Sequence, residues 1–452
     1  VPFPLQKRCS AAVETKPFVD EGHVVGPRGR TFGGAAFSGE SLMEGNIFQP
    51  YLHTESIFRE NRDVLRPSYI PDSLPHRERQ IHELASVLAT ALRGAAPSNV
   101  MIFGKTGTGK TAVVKYVGNE FRRADIEDRV EYFYINCEIV DTPYGVFQNI
   151  GNRFIRDFDE RIPFTGLSTE RVYNLLRRKI DEAARVVVII LDEIDKLVYK
   201  SGDDVLYHLT KINDDLHQAK VSLIGISNDL KFTEFLDPRV KSRLSDEKMV
   251  FPPYNAKELG DILEQRAQLA FDPGVIEEGV IPLIAALAAQ EHGDARRALD
   301  LLRVSGEVAD RKGRSHITEV MVQRAKNKLE LDLVIEAVRS LPTHSKLILL
   351  GIILQQEVGI AKLTTGEVYD TYSQLCRRAG LGPLTQRRVT DLISELDMLG
   401  LINAKVKSFG RGGRTKEIQS SVSAPDVKRI LDQDDVLKEL RSYRPKVQTT
   451  LI

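Results

Sequence analysis

The sequence predicts an α/β protein in three parts: a parallel sheet covered by helices, a small all-helical unit and a C-terminal winged helix. Three observations predict this. Apolar strands alternate with helical stretches as far as Phe251, and that alternation argues for a parallel sheet with helices on both faces. Pro252-Pro253 ends it, and helical periodicity alone follows. Beyond Leu341 the order becomes three helices and then two short strands about Phe409-Gly410-Arg411-Gly412-Gly413-Arg414.

Residues 1–60 are rich in glycine, as in Gly26-Pro27-Arg28-Gly29-Arg30, and lack sustained periodicity, so a flexible arm is expected there. Arg77 to Arg93 places Ile81, Leu84, Ala85, Leu88 and Leu92 on one helical side. Strands are expected at Val100–Phe103, Val130–Asn136, Val186–Leu191, Val221–Ile226 and Lys248–Phe251; the third is apolar throughout, as a strand covered on both faces should be. Helices follow at 258–271, 281–291, 295–311 and from Thr318, then at 343–356, 364–379 and 384–399. The expected division is an arm (1–60), an α/β domain (61–254), a helical domain (255–335) and a winged-helix domain (336–452).

Composition excludes several classes. Hydrophobic residues make up 42% of 452, enough for substantial cores. The 63 basic and 63 acidic residues cancel, so bulk charge points to neither nucleic acid nor membrane. Cys9, Cys137 and Cys376 lie far apart and form neither a metal site nor a disulfide framework, which suits a reducing cytoplasm. No apolar run is long enough to span a bilayer and no secretory signal is expected.

Gly104-Lys105-Thr106-Gly107-Thr108-Gly109-Lys110-Thr111 closes an apolar strand and opens a helix. Its glycines let backbone N–H groups converge on phosphate oxygens, and the helix adds its positive end. Lys110 should reach the β- and γ-phosphates of ATP or ADP, and the Thr111 hydroxyl should bind Mg²⁺. The run Val186 to Leu191 ends in Asp192-Glu193, carboxylates at the carboxyl edge of the sheet beside that loop. Asp192 should hold Mg²⁺ through water, and Glu193 should orient or deprotonate the attacking water. Asp195 reads as structural. Asn228, ending the fourth strand, is placed to position that water; a plain Ser227-Asn228-Asp229 turn is the alternative.

With Asp237-Pro238-Arg239 and Gly293-Asp294-Ala295-Arg296, these motifs fall in the order of AAA+ ATPases. The winged helix narrows the likeness: from about 60 to 440 the chain resembles the archaeal replication initiators, related to the eukaryotic origin-recognition complex and the cell-division-control loader. That resemblance implies a segment over the adenine at Arg66 to Arg77, including Tyr69, Ile70, Pro71 and Arg77, with Tyr254 also at the nucleotide. It implies that Arg296 reaches from the helical lid to the γ-phosphate, and that Arg239, or Arg243, acts on a neighbouring protomer's nucleotide or contacts a partner. The stretch from Asp141 to Gly166 corresponds to an extra helix that touches DNA, with Arg153, Arg156 and Arg161, or else is a plain surface helix. The implied activity is weak, Mg²⁺-dependent ATP hydrolysis. The implied partners are double-stranded origin DNA, the replicative minichromosome-maintenance helicase and other initiator paralogues, in a nucleoid-associated setting.

The C-terminal part carries its own signal. Between Arg377 and Lys416 nine basic residues face three acids, and phosphate neutralisation supplies most non-specific DNA affinity. A helix beginning after Pro383 turns Val389, Leu392, Ile393 and Leu396 inward, which leaves Thr385, Gln386, Arg387, Arg388 and Thr390 at the end that enters a major groove. Arg411 and Arg414 would flank the wing tip and suit a minor groove or phosphates. Competing readings are a transcription regulator with the same winged helix, a clamp-loader-like ATPase and a P-loop kinase; Asn228 and Arg296 argue against the last.

Overall fold

The computed structural model describes residues 56–445 apart from 60, 126, 159–160 and 409–413. The arm up to residue 55 and the wing-tip position Arg411 therefore lie outside the described residues. Helix α1 (Glu78–Leu92) leads into β1 (Val100–Gly104), α2 (Lys110–Ala124), β2 (Val130–Asn136), α3 (Pro143–Phe154), α4 (Thr169–Ala183), β3 (Val186–Asp192), α5 (Ile194–Ser201), α6 (Asp204–Lys211), β4 (Lys220–Ser227), α7 (Pro238–Leu244) and β5 (Glu247–Phe251).

The five strands form one parallel sheet in the order β2-β3-β4-β1-β5. Strand side chains alternate between faces, and here both faces are covered. Val100 and Ile102 of β1 join Val186, Val188 and Ile190 of β3 in a core with Leu84, Leu88, Val113, Val117 and Phe121 of α1 and α2. Met101 and Phe103 join Val187, Ile189 and Leu191 in the opposite core, under α3 to α7. Full burial explains the unbroken apolar run in β3. Because all strands point one way, Gly104, Asn136, Asp192 and Ser227 end at the same edge of the sheet, and β4 lies between β1 and β3.

After Pro252-Pro253, helix α8 (Ala256–Ala270) starts at a capping box in which Asn255 and Glu258 satisfy each other's backbone N–H groups. Helices α9 (Val280–Gln290), α10 (Ala295–Asp310) and α11 (Glu319–Ser340) complete the helical unit. Its core also contains Ile57, Phe58, Val64 and Leu65. These residues sit at the boundary the sequence draws between arm and α/β domain, yet they pack on the lid. Arg59 donates its backbone N–H to the Ala270 carbonyl at 2.9 Å, and Phe58 stacks at 4.8 Å on Phe271. A short stretch without periodicity is held by partners about two hundred positions away, which no local pattern encodes.

Helix α11 passes unbroken through residues 335 and 336. Met321 and Val322 near its start pack in the lid core, and Val338 near its end packs in the next core. That core belongs to α12 (Thr343–Glu357), β6 (Leu363–Thr364), α13 (Thr365–Arg378), α14 (Gln386–Met398), β7 (Ile402–Ser408), β8 (Arg414–Ser420) and α15 (Ala424–Leu431). The order is the expected winged helix, with β6 adding a third strand to the antiparallel β6-β8-β7 sheet. Among the described residues no helix is long and apolar enough to cross a membrane.

Candidate nucleotide site and nucleic-acid interface

The glycine-rich turn after β1 can curl because Gly107 and Gly109 adopt φ of +72° and +89°, where side chains are disfavoured. It returns the chain into α2, whose first residues are Lys110 and Thr111. Lys110 Nζ donates to the carbonyls of Gly104 and Lys105 at 2.7 and 2.8 Å and to Asn228 Oδ1 at 2.8 Å. Burial pulls its ammonium down to about 8, although Asp192 opposes the shift. Thr111 Oγ1 donates to Asp192 Oδ2 at 2.7 Å. The loop lysine, the strand-end acid and the β4 amide thus meet at one place, although 118 positions separate Lys110 from Asn228.

Around them lies a cavity of ≈ 390 Å³ between the sheet edge and the lid. Its wall includes Thr106 to Thr111, Asp192, Glu193 and Asn228 from the α/β part, Arg296 from the lid, and Tyr69, Ile70, Pro71 and Tyr254 at the expected base end. Gly104 and Lys105 lie off the wall and serve through their carbonyls. Arg77 is also absent from the wall. The residue is 2% exposed, and its guanidinium stacks 3.8 Å from the Tyr254 ring centroid and donates to the carbonyls of Thr108 and Pro252 at 2.9 and 2.7 Å. With its donors on these carbonyls, Arg77 ties the glycine loop to the end of β5 rather than facing the cavity.

Glu193 has φ +54°. A non-glycine residue held there stores strain of order 1–3 kcal/mol, and Glu193 lines the cavity at this bend. Partial burial and the neighbouring Glu138, Asp192 and Asp195 push its carboxyl up, as suits a proton acceptor. Asp195 is structural as expected: its Oδ1 accepts from Ser227 Oγ at 2.9 Å and pins the end of β4 that carries Asn228.

Lid and loop touch directly. The Ala295 N–H donates to the Gly107 carbonyl at 3.1 Å, and Asp294 caps α10 through the N–H groups of Arg296 and Arg297. A Cβ built on Gly107 would lie 1.8 Å from Asp294 Oδ1, so only glycine fits beneath this cap. The donor set suits Mg²⁺, which keeps most of its waters and takes one or two protein oxygens plus phosphate. Thr111 and Asp192 offer that number, and among the described residues no cluster of three or more acids, histidines or cysteines forms a separate metal cage.

Among the wall residues that sequence reasoning missed, two make specific contacts. Tyr134 Oη donates to Asp192 Oδ2 at 2.7 Å. Arg266, 5% exposed, lies 4.7 Å over Tyr69 and donates to the Val64 carbonyl at 3.2 Å, so the lid helix grips the segment at the base end. Both read in the sequence as ordinary strand and helix positions. Arg239 is away from this cavity: it is exposed, pairs with Asp237 at 3.0 Å and lies 5.5 Å over Tyr207. Arg243 is nearby, 3.0 Å from Asp214.

In the winged helix, Thr385 caps α14 and Thr385, Gln386, Arg387 and Arg388 are exposed; Thr390 is half-buried and donates its hydroxyl to the Gln386 carbonyl. Val389, Leu392, Ile393 and Leu396 are buried, as the periodicity requires. Arg388 pairs with Glu395 at 3.4 Å. Arg414 begins β8 opposite Ser408. Arg153, in the last turn of α3, pairs with Glu131; between α3 and α4, Arg161 lies 5.8 Å over Phe158, and Phe158 and Phe164 are 78% and 86% exposed.

Three family models match in chain order: an AAA domain over residues 94–231, the Cdc6 AAA+ ATPase-type lid domain over 260–327 and the CDC6 C-terminal winged helix domain over 336–430. The ORC1-type DNA replication protein 1 of Methanosarcina mazei is 55% identical over 405 residues, 89% of this chain and 96% of that protein. The chain belongs to the ORC1-type DNA replication proteins. The ORC1-type protein of Thermococcus onnurineus is 54% identical over 409 residues, 90% of this chain and 98% of its own. Among solved structures, the Aeropyrum pernix ORC1 protein in complex with DNA is 46% identical, with a TM-score of 0.75, over 85% of this chain and 100% of that one. As an ORC1-type replication initiator, the chain is an AAA+ ATPase with the nucleotide-binding domain, lid and winged helix of that family.

Proposed function

We propose that this initiator binds ATP and Mg²⁺ between the sheet edge and the lid, grips origin duplex DNA with its winged helix and its AAA+ domain, and recruits the replicative minichromosome-maintenance helicase. The observation that carries this reading is the meeting of Lys110, Thr111, Asp192, Glu193 and Asn228 on one cavity wall beneath a lid whose Asp294-Ala295 closes onto Gly107. Lys110 would exchange its carbonyl partners for phosphate oxygens. Thr111, with Asp192 through water, would hold Mg²⁺, which supplies charge neutralisation on the phosphates. Glu193 and Asn228 would orient the attacking water, and Glu193 would accept its proton. Arg296 would meet the γ-phosphate from the lid, so that loss of that phosphate releases the lid. Arg239 or Arg243, both outside the chain's own cavity, would act on the nucleotide of a neighbouring copy or paralogue.

For DNA, the similarity to the A. pernix ORC1 protein in complex with DNA supports DNA binding. Gln386, Arg387 and Arg388, with Thr385 and Thr390, would enter the major groove, Arg411 and Arg414 would take the wing to the backbone or minor groove, and Phe158, Arg156 and Phe164 would form the AAA+ contact. Hydrolysis would be slow and would reset the complex. A genome-wide map of bound sites tests the reading. Enrichment at the starts of replication supports it; occupancy confined to promoters would establish the transcription-regulator alternative instead.

A further inference from the structure

Asp192 is 5% exposed, and its carboxylate is held on both oxygens. Oδ1 accepts the Glu193 N–H at 3.0 Å. Oδ2 accepts two hydroxyls, from Thr111 and from Tyr134, each at 2.7 Å. The Thr111 hydroxyl keeps lone pairs free for a cation while it donates. Tyr134 approaches from another element.

The register explains its reach. Asn136 of β2 sits opposite Asp192 of β3, and Tyr134 sits opposite Ile190. Tyr134 therefore shares a sheet face with Asp192 one diagonal step away, a span that a long aromatic side chain bridges and a short one does not. Its ring is fixed from above: Lys115 Nζ lies 4.4 Å from the ring centroid. Lys115 stands one helical turn after Thr111 on α2, so a single helix face supplies one hydroxyl to Asp192 and pins the residue that supplies the other.

We infer that Tyr134 is a positioning residue for the metal-side carboxylate: through its hydroxyl on Asp192 Oδ2 it holds Asp192 in the rotamer that Thr111 and a hydrated divalent cation share. This rests on the proposed reading of Asp192 and Thr111. Groups that orient a metal ligand typically affect cation affinity by 10–100-fold when removed.

The test is Tyr134→Phe in the full chain, which keeps the ring and its contact with Lys115 but removes the donor. Binding of a non-hydrolysable ATP analogue is measured by calorimetry with EDTA present and then as Mg²⁺, or Mn²⁺ followed by electron paramagnetic resonance, is titrated in. The expected result is a fall of about 10–100-fold in apparent cation affinity, with analogue affinity in EDTA within about twofold of the parent. Unchanged cation affinity overturns the inference. So does an equal loss with and without cation, which would make Tyr134 a nucleotide contact or a general structural support. Lys110→Ala, measured alongside, separates the two levels: if it still binds the analogue normally, the site assignment itself fails, whatever Tyr134→Phe does.

Discussion

Lys110 Nζ donates to Asn228 Oδ1 at 2.8 Å, so the lysine of the glycine-rich loop and the amide at the end of β4 are in direct contact. The lysine rests on three oxygens of the protein. Burial nonetheless brings its ammonium down to about 8.

A pH dependence of binding follows. The free protein loses the Lys110 proton as pH rises through about 8, whereas bound phosphates favour the charged form. ATP affinity should be flat below that point and should fall above it, by up to about tenfold per unit. Calorimetric titrations from about pH 7 to about pH 9.5 at fixed Mg²⁺ would check this; constant affinity across that range would contradict the burial argument.

Gly107 should tolerate no side chain. Its φ is +72°, and a Cβ would collide with Asp294. Gly107→Ala should cost about 1–3 kcal/mol through backbone strain and should push α10 off the loop, with loss of nucleotide binding. Adding Asp294→Ala should recover part of the binding, since the clash is with that carboxylate, while the strain remains. Thermal melts and nucleotide titrations of the single and double variants provide the cycle; strict additivity would show that loop and lid are uncoupled.

On DNA, Arg388→Ala should weaken specific duplex binding by about 1–3 kcal/mol and relax preference at one base position. Glu395→Gln should leave binding unchanged or slightly tighter, because the Arg388–Glu395 pair is exposed and such pairs are worth about 1 kcal/mol or less. Fluorescence anisotropy at fixed salt, with the cognate and a scrambled duplex, measures both.

The sequence discloses those parts of the site that lie within one short stretch. Lys110, Thr111 and Asp192 are legible because a loop, its helix and a strand end each impose a local pattern. Tyr134 is not, because its role comes from the register of β2 against β3, and the heptad of residues around it reads only as a strand. Arg266 hides for a similar reason: it takes one turn of an amphipathic helix, and only the fold brings Tyr69 and Val64 beside it. Arg77 was legible as a residue of the site but not in its direction, since a motif names a position and not the carbonyls its guanidinium will meet.

Phe58 offers the sharpest test of the long-range packing. It is 9% exposed and lies against Phe271 and the backbone of α10 at Gly306. Phe58→Ala should cost about 3–5 kcal/mol, seen as a lower midpoint in urea unfolding. The loss should fall on the lid, so nucleotide affinity should drop with it; a variant as stable as the parent would show that the segment merely rests on the surface.

That same contact sets an order of events during synthesis. Ile57, Phe58, Val64 and Leu65 leave the ribosome about two hundred residues ahead of Leu259, Leu263 and Leu302, the side chains that will cover them. Until then these four apolar residues lack their lid partners, and transiently exposed apolar surface makes a partly made chain prone to aggregate. Closure over so long a loop is slow compared with local helix formation, so the sheet should settle first and the lid should fold last, as α8 and α10 arrive and clasp a strand of chain made long before.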